Sequence, residues 1–320
     1  MGKYYIGVDL GGTNIAAGIV DKDGKIYCKK SVRTNLPKPE SELENDIFKL
    51  CKALCEENGY DLHKDIINVG IGSPGSVDGR RGIVWQNVNF GYENWQIKAN
   101  LEKLFEIPVY VENDANAAII AEVMAGSAKD CKNALIVTLG TGVGGGAFIN
   151  GEIYAGSNYA GLEVGHIVIV KDGRQCNCGR KGCFERYASA SALTRDTQAA
   201  MKAHPESAMW KICPDVEKAN AKTAFDGMAK GDKVATEVVT TYIEYLSCGL
   251  TNLINIFQPD VVCLGGGVSN QEQHLIDLIQ PYFDREDYAR NAPERTKIVI
   301  AKFRNDAGII GAAMVGVNND

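Results

Sequence analysis

Residues 4–20 read YYIGVDLGGTNIAAGIV, and residues 135–149 read LIVTLGTGVGGGAFI. Each stretch contains an apolar strand pattern, a turn rich in glycine and threonine, and a second strand pattern. In the first stretch, Ile6, Val8 and Leu10 alternate with other residues as strand residues do, and Gly11 and Gly12 interrupt the alternation. The recurrence of this pattern predicts two halves of the molecule that are built on one plan.

Helical and strand patterns alternate along the rest of the chain. Leu43–Leu54 has apolar residues at helical spacing, and Ile66–Ile71 is an apolar run that predicts a buried strand. A short strand over Val109–Val111 precedes a helix over Ala115–Ala125, and Asp232–Phe257 predicts a long helix. This alternation is typical of the α/β class.

Composition limits the class of protein. The chain has 320 residues, 45% of them apolar and 23% charged, with a formal net charge of −6, which predicts two globular domains. The charge and the lack of a basic run argue against a nucleic-acid surface. No stretch approaches the roughly 20 apolar residues of a membrane span, and we expect no secretion signal, because the N-terminus lacks the apolar core of one. The ten cysteines are mostly dispersed, which favours a reducing cytoplasm.

Three glycine turns follow predicted strands and suggest a nucleotide site. Asp9–Thr13 combines a carboxylate, two glycines and a hydroxyl, Thr138–Gly146 repeats the turn with five glycines, and Gly265–Gly267 could lie against adenine or ribose. The simpler alternatives are a hairpin turn for the first and a helix-packing turn for the third. The predicted nucleotide-binding residues are Asp9, Gly11, Gly12, Thr13, Thr141, Gly142, Gly265, Gly266 and Gly267.

Asn113 and Asp114 stand at the end of a predicted strand and before a helix. Ligands in open α/β sheets bind beyond the carboxyl ends of strands, so Asp114 can accept the proton of an attacking hydroxyl. The alternative is that Asp114 is only the N-cap of the following helix, a position that Asp often occupies.

A metal site is the strongest local signal. His166, Cys176, Cys178 and Cys183 follow one another with nine, one and four residues between them. One imidazole and three thiolates form a closed tetrahedral zinc set, which leaves no position for the water of a zinc hydrolase. The alternative is a disulfide between Cys176 and Cys183. A structural zinc would order the loop and carry two nearby carboxylates, Glu163 and Glu185.

Those carboxylates suggest a sugar as the ligand. Carboxylate and amide groups accept hydrogen bonds from hydroxyls, and Glu163, Glu185, Asn113 and Asp114 provide such groups. His166 could contact a sugar hydroxyl with one ring nitrogen while the other binds zinc. The alternative is that the glutamates only face solvent.

These motifs together resemble the ROK family (repressors, open reading frames and kinases), and within it the bacterial glucokinases. The resemblance covers nearly the whole chain, and its most specific part is the cysteine segment Cys176–Glu185. The other matching segments are Asp9–Thr13, Ser73–Gly75, Glu112–Asn116, Thr138–Gly146, Glu163–His166, Leu264–Gly267 and Asp306–Ala313.

The resemblance implies an actin-like ATPase or hexokinase-type (ribonuclease H-like) fold with two α/β domains and a cleft between them. We expect a small domain of residues 1–118 plus 305–320 and a large domain of residues 119–304 that carries the zinc loop. Asp114 would be the catalytic base, and the sugar contacts would be Gly75, Asn89, Asn113, Asp114, Glu163, His166 and Glu185. Asn87 is a rival for the position of Asn89, and residues 197–230 contain no matching motif.

The resemblance also implies the reaction, which is ATP-dependent phosphorylation of the 6-hydroxyl of glucose. Mg²⁺ would accompany ATP, zinc would be structural, and the protein would be a cytoplasmic homodimer. Other acceptors stay open, namely N-acetylmannosamine, mannose, fructose and allose, as does polyphosphate as donor. Alternatives of another class are a non-catalytic sugar sensor and a transcriptional regulator, although we expect no helix-turn-helix segment before Tyr4.

Overall fold

A computed structural model describes residues 3–87 and 90–317. The chain divides into two compact units. Unit 1 contains the described residues up to Ile136, Gly146–Leu162 and those from Ala301 onward, and unit 2 contains Val137–Gly145 and Glu163–Ile300. The domain boundaries after residue 118 and before residue 305 stay a prediction.

The described residues form strands, α-helices and short 3-10 turns. The strands are β1 (Tyr4–Leu10), β2 (Asn14–Val20), β3 (Ile26–Arg33), β4 (Ile66–Ser73), β5 (Ser76–Asp78), β6 (Ile83–Asn87), β7 (Tyr92–Trp95), β8 (Val109–Asn113), β9 (Ala134–Leu139), β10 (Val143–Ile149), β11 (Glu152–Ile153), β12 (Val261–Gly265) and β13 (Lys297–Ile300). The α-helices are α1 (Glu40–Glu57), α2 (Ile97–Phe105), α3 (Asp114–Ala125), α4 (Glu185–Ala188), α5 (Ala190–Ala203), α6 (Met209–Ile212), α7 (Ala221–Ala229), α8 (Lys233–Phe257), α9 (Gln273–Glu286) and α10 (Ala307–Val315). Within residues 3–87 and 90–317, none of the helices combines the length and the hydropathy that a bilayer span requires.

The main sheet of unit 1 has the order β3-β2-β1-β4-β8. β1 pairs antiparallel with β2 but parallel with β4, and β4 pairs parallel with β8. Asp9 is opposite Gly72, which is opposite Glu112. The carboxyl ends of β1, β4 and β8 therefore meet at one edge, so the predicted strand-end residues of unit 1 lie on the same side of the sheet.

Helix α10 packs directly on this sheet and on α3. A β-carbon at Gly7 would lie 1.8 Å from the carbonyl oxygen of Ile309, and one at Gly311 would lie 1.6 Å from that of Ala117. Nearly every residue of α10 is buried, as its uniformly apolar sequence predicts. The close approach of backbones fixes the elements that carry the strand-end residues.

A small antiparallel sheet of unit 1 has the order β5-β6-β7. Val77, Val84 and Trp95 are aligned across its three strands and are all buried. The adjacent row contains Ser76, Gln86 and Glu93, of which Gln86 and Glu93 are exposed. The row of Val77, Val84 and Trp95 thus belongs to the core, and the adjacent row is open to solvent at Gln86 and Glu93.

A second five-stranded sheet has the order β11-β10-β9-β12-β13. The predicted long helix is confirmed as α8, whose N-cap Asp232 accepts a hydrogen bond from the backbone N–H of Ala235 at 2.8 Å. The segment without a motif, residues 197–230, contains the end of α5 together with α6 and α7. The glycine turn is shorter than predicted, because β10 already begins at Val143 and includes Gly144–Gly146.

Candidate active site

Two aspartates form an acidic pair at the strand edge of unit 1. Asp9 is half-buried, and its pKa is raised to about 6 by burial and by the nearby charge of Asp114. The Asp114 side chain is accessible to solvent, yet surrounding protein atoms reduce its hydration and raise its pKa, against a lowering hydrogen bond from the N–H of Ala115. Among the described residues neither aspartate has a basic partner, so the pair is suited to a cation or a proton.

Asn113, not Asp114, is the N-cap of α3. Its Oδ1 accepts hydrogen bonds from the N–H groups of Ala115 at 2.9 Å and Asn116 at 3.2 Å, and its Nδ2 donates to the carbonyl of Gly75 at 3.0 Å. The alternative that Asp114 is only a cap is therefore wrong. Asp114 is instead the first residue of the helix, where the positive end of the helix dipole favours a negative charge.

Glu112 fixes the turn that presents Asp114, and it was not among the predicted site residues. Its Oε1 accepts hydrogen bonds from the N–H of Asn113 at 2.8 Å and from Nδ2 of Asn116 at 2.9 Å. Burial raises the pKa of Glu112 against these two bonds, which lower it. Its position inside the matching segment Glu112–Asn116 is the signal that could have found it.

The Gly11–Thr13 turn is held from both sides. Gly11 N–H donates to the carbonyl of Asn14 at 3.0 Å, and Thr34 donates its hydroxyl to the carbonyl of Gly11 at 2.7 Å and its N–H to that of Thr13 at 3.0 Å. Within the described part of the chain, the N–H groups of Gly12 and Thr13 have no acceptor, and both residues are exposed. This turn can therefore donate hydrogen bonds to an anion. No local pattern singled out the buried Thr34.

Gly75 occupies a conformation that only glycine tolerates easily. Its φ is 104°, and a β-carbon there would lie 2.3 Å from the carbonyl oxygen of Gln86. Asn89 lies outside the described residues. Its rival Asn87 is buried and donates from Nδ2 to the carbonyl of Pro74 at 2.8 Å, while its Oδ1 accepts from the N–H of Phe90 at 3.1 Å. Asn87 therefore has a structural role in this turn.

The four predicted metal ligands come together in unit 2. One ligand atom each of His166, Cys176, Cys178 and Cys183 lies within 4.8 Å of the others. Cys176 Sγ lies 3.7 Å from His166 Nδ1, and Cys178 Sγ lies 3.6 Å from Cys183 Sγ. The described residues include all ten cysteines, and each is a free thiol, so the structure contains no Cys176–Cys183 disulfide. The arrangement is a candidate metal centre.

Glu185 contacts two of these four candidate ligands, which together we call the metal group. Its Oε1 accepts a hydrogen bond from the Cys176 thiol at 3.2 Å and lies 3.9 Å from His166 Nδ1. A β-carbon at Gly142 would lie 2.7 Å from its Oε2, so Glu185 also contacts the glycine turn of unit 2. Glu163 is exposed, and its carbonyl accepts a hydrogen bond from the N–H of His166 at 3.0 Å. Glu185 thus contacts the candidate metal ligands through its side chain, and Glu163 contacts them through its backbone.

The two glycine turns of unit 2 also lie close together. Gly140 N–H donates to the carbonyl of Gly142 at 3.1 Å, and Thr141 is exposed at the tip. Gly265–Gly267 follows β12 as predicted, and the backbone of Gly266 packs against that of Leu139. The predicted residues of each unit are therefore near one another within that unit.

The ROK family model matches residues 5–318. The chain belongs to the ROK family. The resemblance predicted from the sequence is confirmed.

Two glucokinases are similar to the chain in length and sequence. The chain is 35% identical over 315 residues to the glucokinase of Halalkalibacterium halodurans, covering 97% of this chain and 93% of that protein. It is 35% identical over 319 residues to the glucokinase of Thermotoga maritima, covering 97% and 96%.

A solved structure has the same fold. A ROK-family glucokinase of Streptomyces griseus in complex with glucose and AMPPNP superposes with a TM-score of 0.83, 33% identity and 98% coverage of each chain. The predicted α/β fold of actin-like ATPase, hexokinase-type architecture is thus confirmed.

Proposed function

We propose that this chain transfers the γ-phosphoryl group of ATP to the 6-hydroxyl of glucose and produces glucose 6-phosphate and ADP. The coarser activity, that of a sugar kinase, follows from membership of the ROK family over residues 5–318 and from the glucokinase relatives. The glucokinase relatives support glucose as the acceptor, and the observation that carries the phosphoryl transfer is Asp114, an accessible carboxylate with a raised pKa at the N-terminus of α3.

Asp114 is the proposed general base. The 6-hydroxyl oxygen forms a bond to the γ-phosphorus as the bond from that phosphorus to the bridging oxygen breaks, and the hydroxyl proton passes to Asp114. The raised pKa makes Asp114 a stronger base than an ordinary carboxylate. Glu112 and Asn113 act as positioning residues, because they fix the turn before Asp114.

The glycine turns are the proposed phosphate and nucleoside sites. The free N–H groups of Gly12 and Thr13 can donate to phosphate oxygens, and Asp9, Gly11, Thr141 and Gly142 complete these turns. Gly265, Gly266 and Gly267 would face the adenosine. When bound with ATP, Mg²⁺ supplies positive charge beside the phosphate oxygens. Asp9 would hold it through water, which agrees with an acidic pair that has no basic partner among the described residues.

Zinc is the proposed ion of the metal group. A tetrahedral zinc with Zn–S bonds of about 2.3 Å has ligand atoms about 3.8 Å apart, and two of the separations within the group are 3.6 and 3.7 Å. His166, Cys176, Cys178 and Cys183 would hold the ion. Its contribution is to order the loop, and thereby to position Glu185 and Glu163 for hydrogen bonds with sugar hydroxyls.

The remaining sugar contacts are proposed from the matching positions. They are Gly75, Asn89, Asn113, Glu163, His166 and Glu185. Asn113 can bind the sugar although it caps α3, because one hydrogen of its Nδ2 is bonded to the carbonyl of Gly75 and the second is available to a sugar hydroxyl. A cytoplasmic location and a homodimer belong to the same proposal.

An ADP-release assay across glucose, mannose, fructose, allose and N-acetylmannosamine tests the proposal. We expect the highest kcat/KM with glucose and ATP, and dependence on Mg²⁺. Polyphosphate in place of ATP tests the donor. A higher kcat/KM with another sugar would replace glucose as the acceptor, and no turnover with any sugar would refute the kinase proposal.

A further inference from the structure

A groove in unit 1 is lined by residues that the proposed reaction does not use. It encloses about 700 Å³ beside the small sheet β5-β6-β7. The residues that line it are Ser76, Asp78, Arg81, Trp85, Gln86, Glu93, Asn158, Tyr159 and Ala160. We call this cavity the Trp85 groove.

Trp85 gives the groove an open aromatic surface. Trp85 is 38% exposed, whereas Trp95 of the same sheet is fully buried. A tryptophan packed into the core loses its exposed area to neighbouring side chains, but Trp85 keeps a large apolar surface in contact with solvent. Flat indole faces bind the C–H faces of pyranose rings. This contact contributes more to the binding affinity when the site also offers hydrogen-bond partners.

Polar groups around Trp85 supply such partners. In the described ranges 3–87 and 90–317, no hydrogen bond is made by the Gln86 amide, the Glu93 carboxylate or the Tyr159 hydroxyl, although all three side chains belong to the lining. Arg81 adds an exposed guanidinium, which lies 3.8 Å from the buried carboxylate of Asp78. Amide, carboxylate, hydroxyl and guanidinium groups can together satisfy the alternating donors and acceptors of a sugar.

The loop that contributes Tyr159 to the groove contains an unfavourable backbone conformation. Tyr159 has a φ of 60°, which is rare for an aromatic residue. The single hydroxyl hydrogen of Ser76 is shared between the carbonyls of Asn158 at 3.3 Å and Tyr159 at 3.2 Å, and this contact ties the loop to β5. Strained residues that neighbouring structure holds in place occur often at ligand sites.

The groove begins one residue from a proposed sugar contact. Ser76 follows Gly75, whose carbonyl accepts the hydrogen bond from Asn113, and Gln86 is the residue whose backbone abuts Gly75. A ligand in the groove would therefore lie next to the turn that we assign to the acceptor hexose. This proximity favours a carbohydrate over a ligand of unrelated chemistry.

We propose that the Trp85 groove binds a pyranose ring in addition to the hexose that is phosphorylated. The ring is either the second ring of a disaccharide whose first ring contacts Gly75 and Asn113, or a separate sugar molecule. Binding in the groove requires no turnover. Its assignment as an extension of the acceptor site rests on the proposed kinase function.

Calorimetry of the whole chain with glucose, maltose and cellobiose, in the absence of ATP, tests this inference. A separate site predicts two glucose molecules per chain. An extended site predicts one disaccharide per chain and competition between that disaccharide and glucose in the ADP-release assay. Trp85→Ala should weaken the additional binding at least about tenfold and leave kcat with glucose unchanged. Tyr154→Ala, which removes an aromatic side chain of similar exposure outside the groove lining, should change neither.

Gln86→Ala gives an independent variant in case Trp85→Ala does not fold, and it should weaken the same binding. Two results would overturn the inference and leave the kinase proposal intact. The first is one glucose per chain with no disaccharide binding, and the second is equal sugar binding by wild type, Trp85→Ala and Gln86→Ala. A change of oligomeric state in Trp85→Ala without a change in sugar binding would also overturn it and assign the surface to a protein contact. Sugar binding that depends on Trp85 in a protein without kinase activity would retain the groove and refute the kinase proposal.

Discussion

The acidic pair of unit 1 and the metal group of unit 2 hold their functional side chains by different means. Asp9 and Asp114 are placed by regular secondary structure, one in β1 and the other at the start of α3. Glu163 and Glu185 belong to a loop-rich segment that contains only a 3-10 turn and the beginning of a four-residue helix. Backbone hydrogen bonds position the first pair, whereas side-chain ligands would position the second. The two groups should therefore respond differently to mutation, pH and chelation.

The largest effect is expected at Asp114. Asp114→Asn keeps the shape of the side chain but removes the proton acceptor, so kcat in the ADP-release assay should fall by about 10³-fold. The fold and the metal content should be retained, because the helix cap is Asn113. Asp23→Asn, in an exposed turn of the same unit, is the matched control. Activity near wild type in Asp114→Asn would remove Asp114 from the role of base.

Unit 1 contains a buried carboxylate that has a structural role. Glu122 is fully buried, and it accepts hydrogen bonds from the N–H groups of Ser127 at 2.7 Å, Lys302 at 3.1 Å and Phe303 at 3.0 Å. Glu122→Ala leaves these donors without an acceptor and should lower the free energy of unfolding by about 2–4 kcal/mol in urea titrations.

The control for Glu122 is Glu237→Ala, at an exposed position of α8, which should change stability by less than about 0.5 kcal/mol. Chelation should leave the Glu122 effect unaltered. Equal stability of Glu122→Ala and Glu237→Ala would contradict the structural role.

Asp9 should make the stability of the protein depend on pH. Its pKa is raised from 3.8 to about 6, so the folded state binds the proton more tightly than the unfolded chain does. Ionisation of Asp9 therefore lowers stability, and the loss develops as the pH rises from about 4 to about 6. Asp9→Asn should raise the free energy of unfolding by about 1–3 kcal/mol at pH 7.5. The gain should disappear below pH 4, and a gain of equal size at both pH values would exclude this explanation.

The smallest effect is expected from the loss of one thiolate in unit 2. Cys178→Ser should release the metal ion, disorder the loop and raise the KM for the sugar about tenfold, which corresponds to roughly 1.4 kcal/mol of binding. Chelator treatment of the wild type should reproduce the change. Cys213→Ser, a half-buried thiol outside the metal group, should retain both the ion and the KM. A metal-free Cys178→Ser with unchanged KM would separate the metal from sugar binding.

Local patterns were sufficient to predict strands such as β1, the long helix α8 and the grouping of the four candidate metal ligands. The alternation of Ile6, Val8 and Leu10 has the period of a strand, and the helical period continues through α8. The three thiols and His166 lie within one short segment, so their spacing alone indicates that they could bind one metal ion. Each of these signals depends on residues that are near in sequence.

Other features depend on contacts that no local pattern records. The choice between Asn113 and Asp114 as the cap depends on which side chain turns toward the N–H groups of Ala115 and Asn116. Glu122 bonds to Lys302, 180 positions away. Tyr159, which has a positive φ, accepts a hydrogen bond from Ser76, 83 positions away in the chain. Such residues are recognisable only when the chain is folded.

The position of α10 has a consequence for synthesis of the protein. α10 covers β1 and β4, but almost the entire sequence separates it from β1. On the ribosome, residues 163–300 emerge earlier and can fold while the apolar surface of the first strands still lacks its covering helix. Unit 1, although its strands are translated first, is therefore completed last, and the nascent chain must keep that surface from aggregating until translation of residues 307–315 is finished.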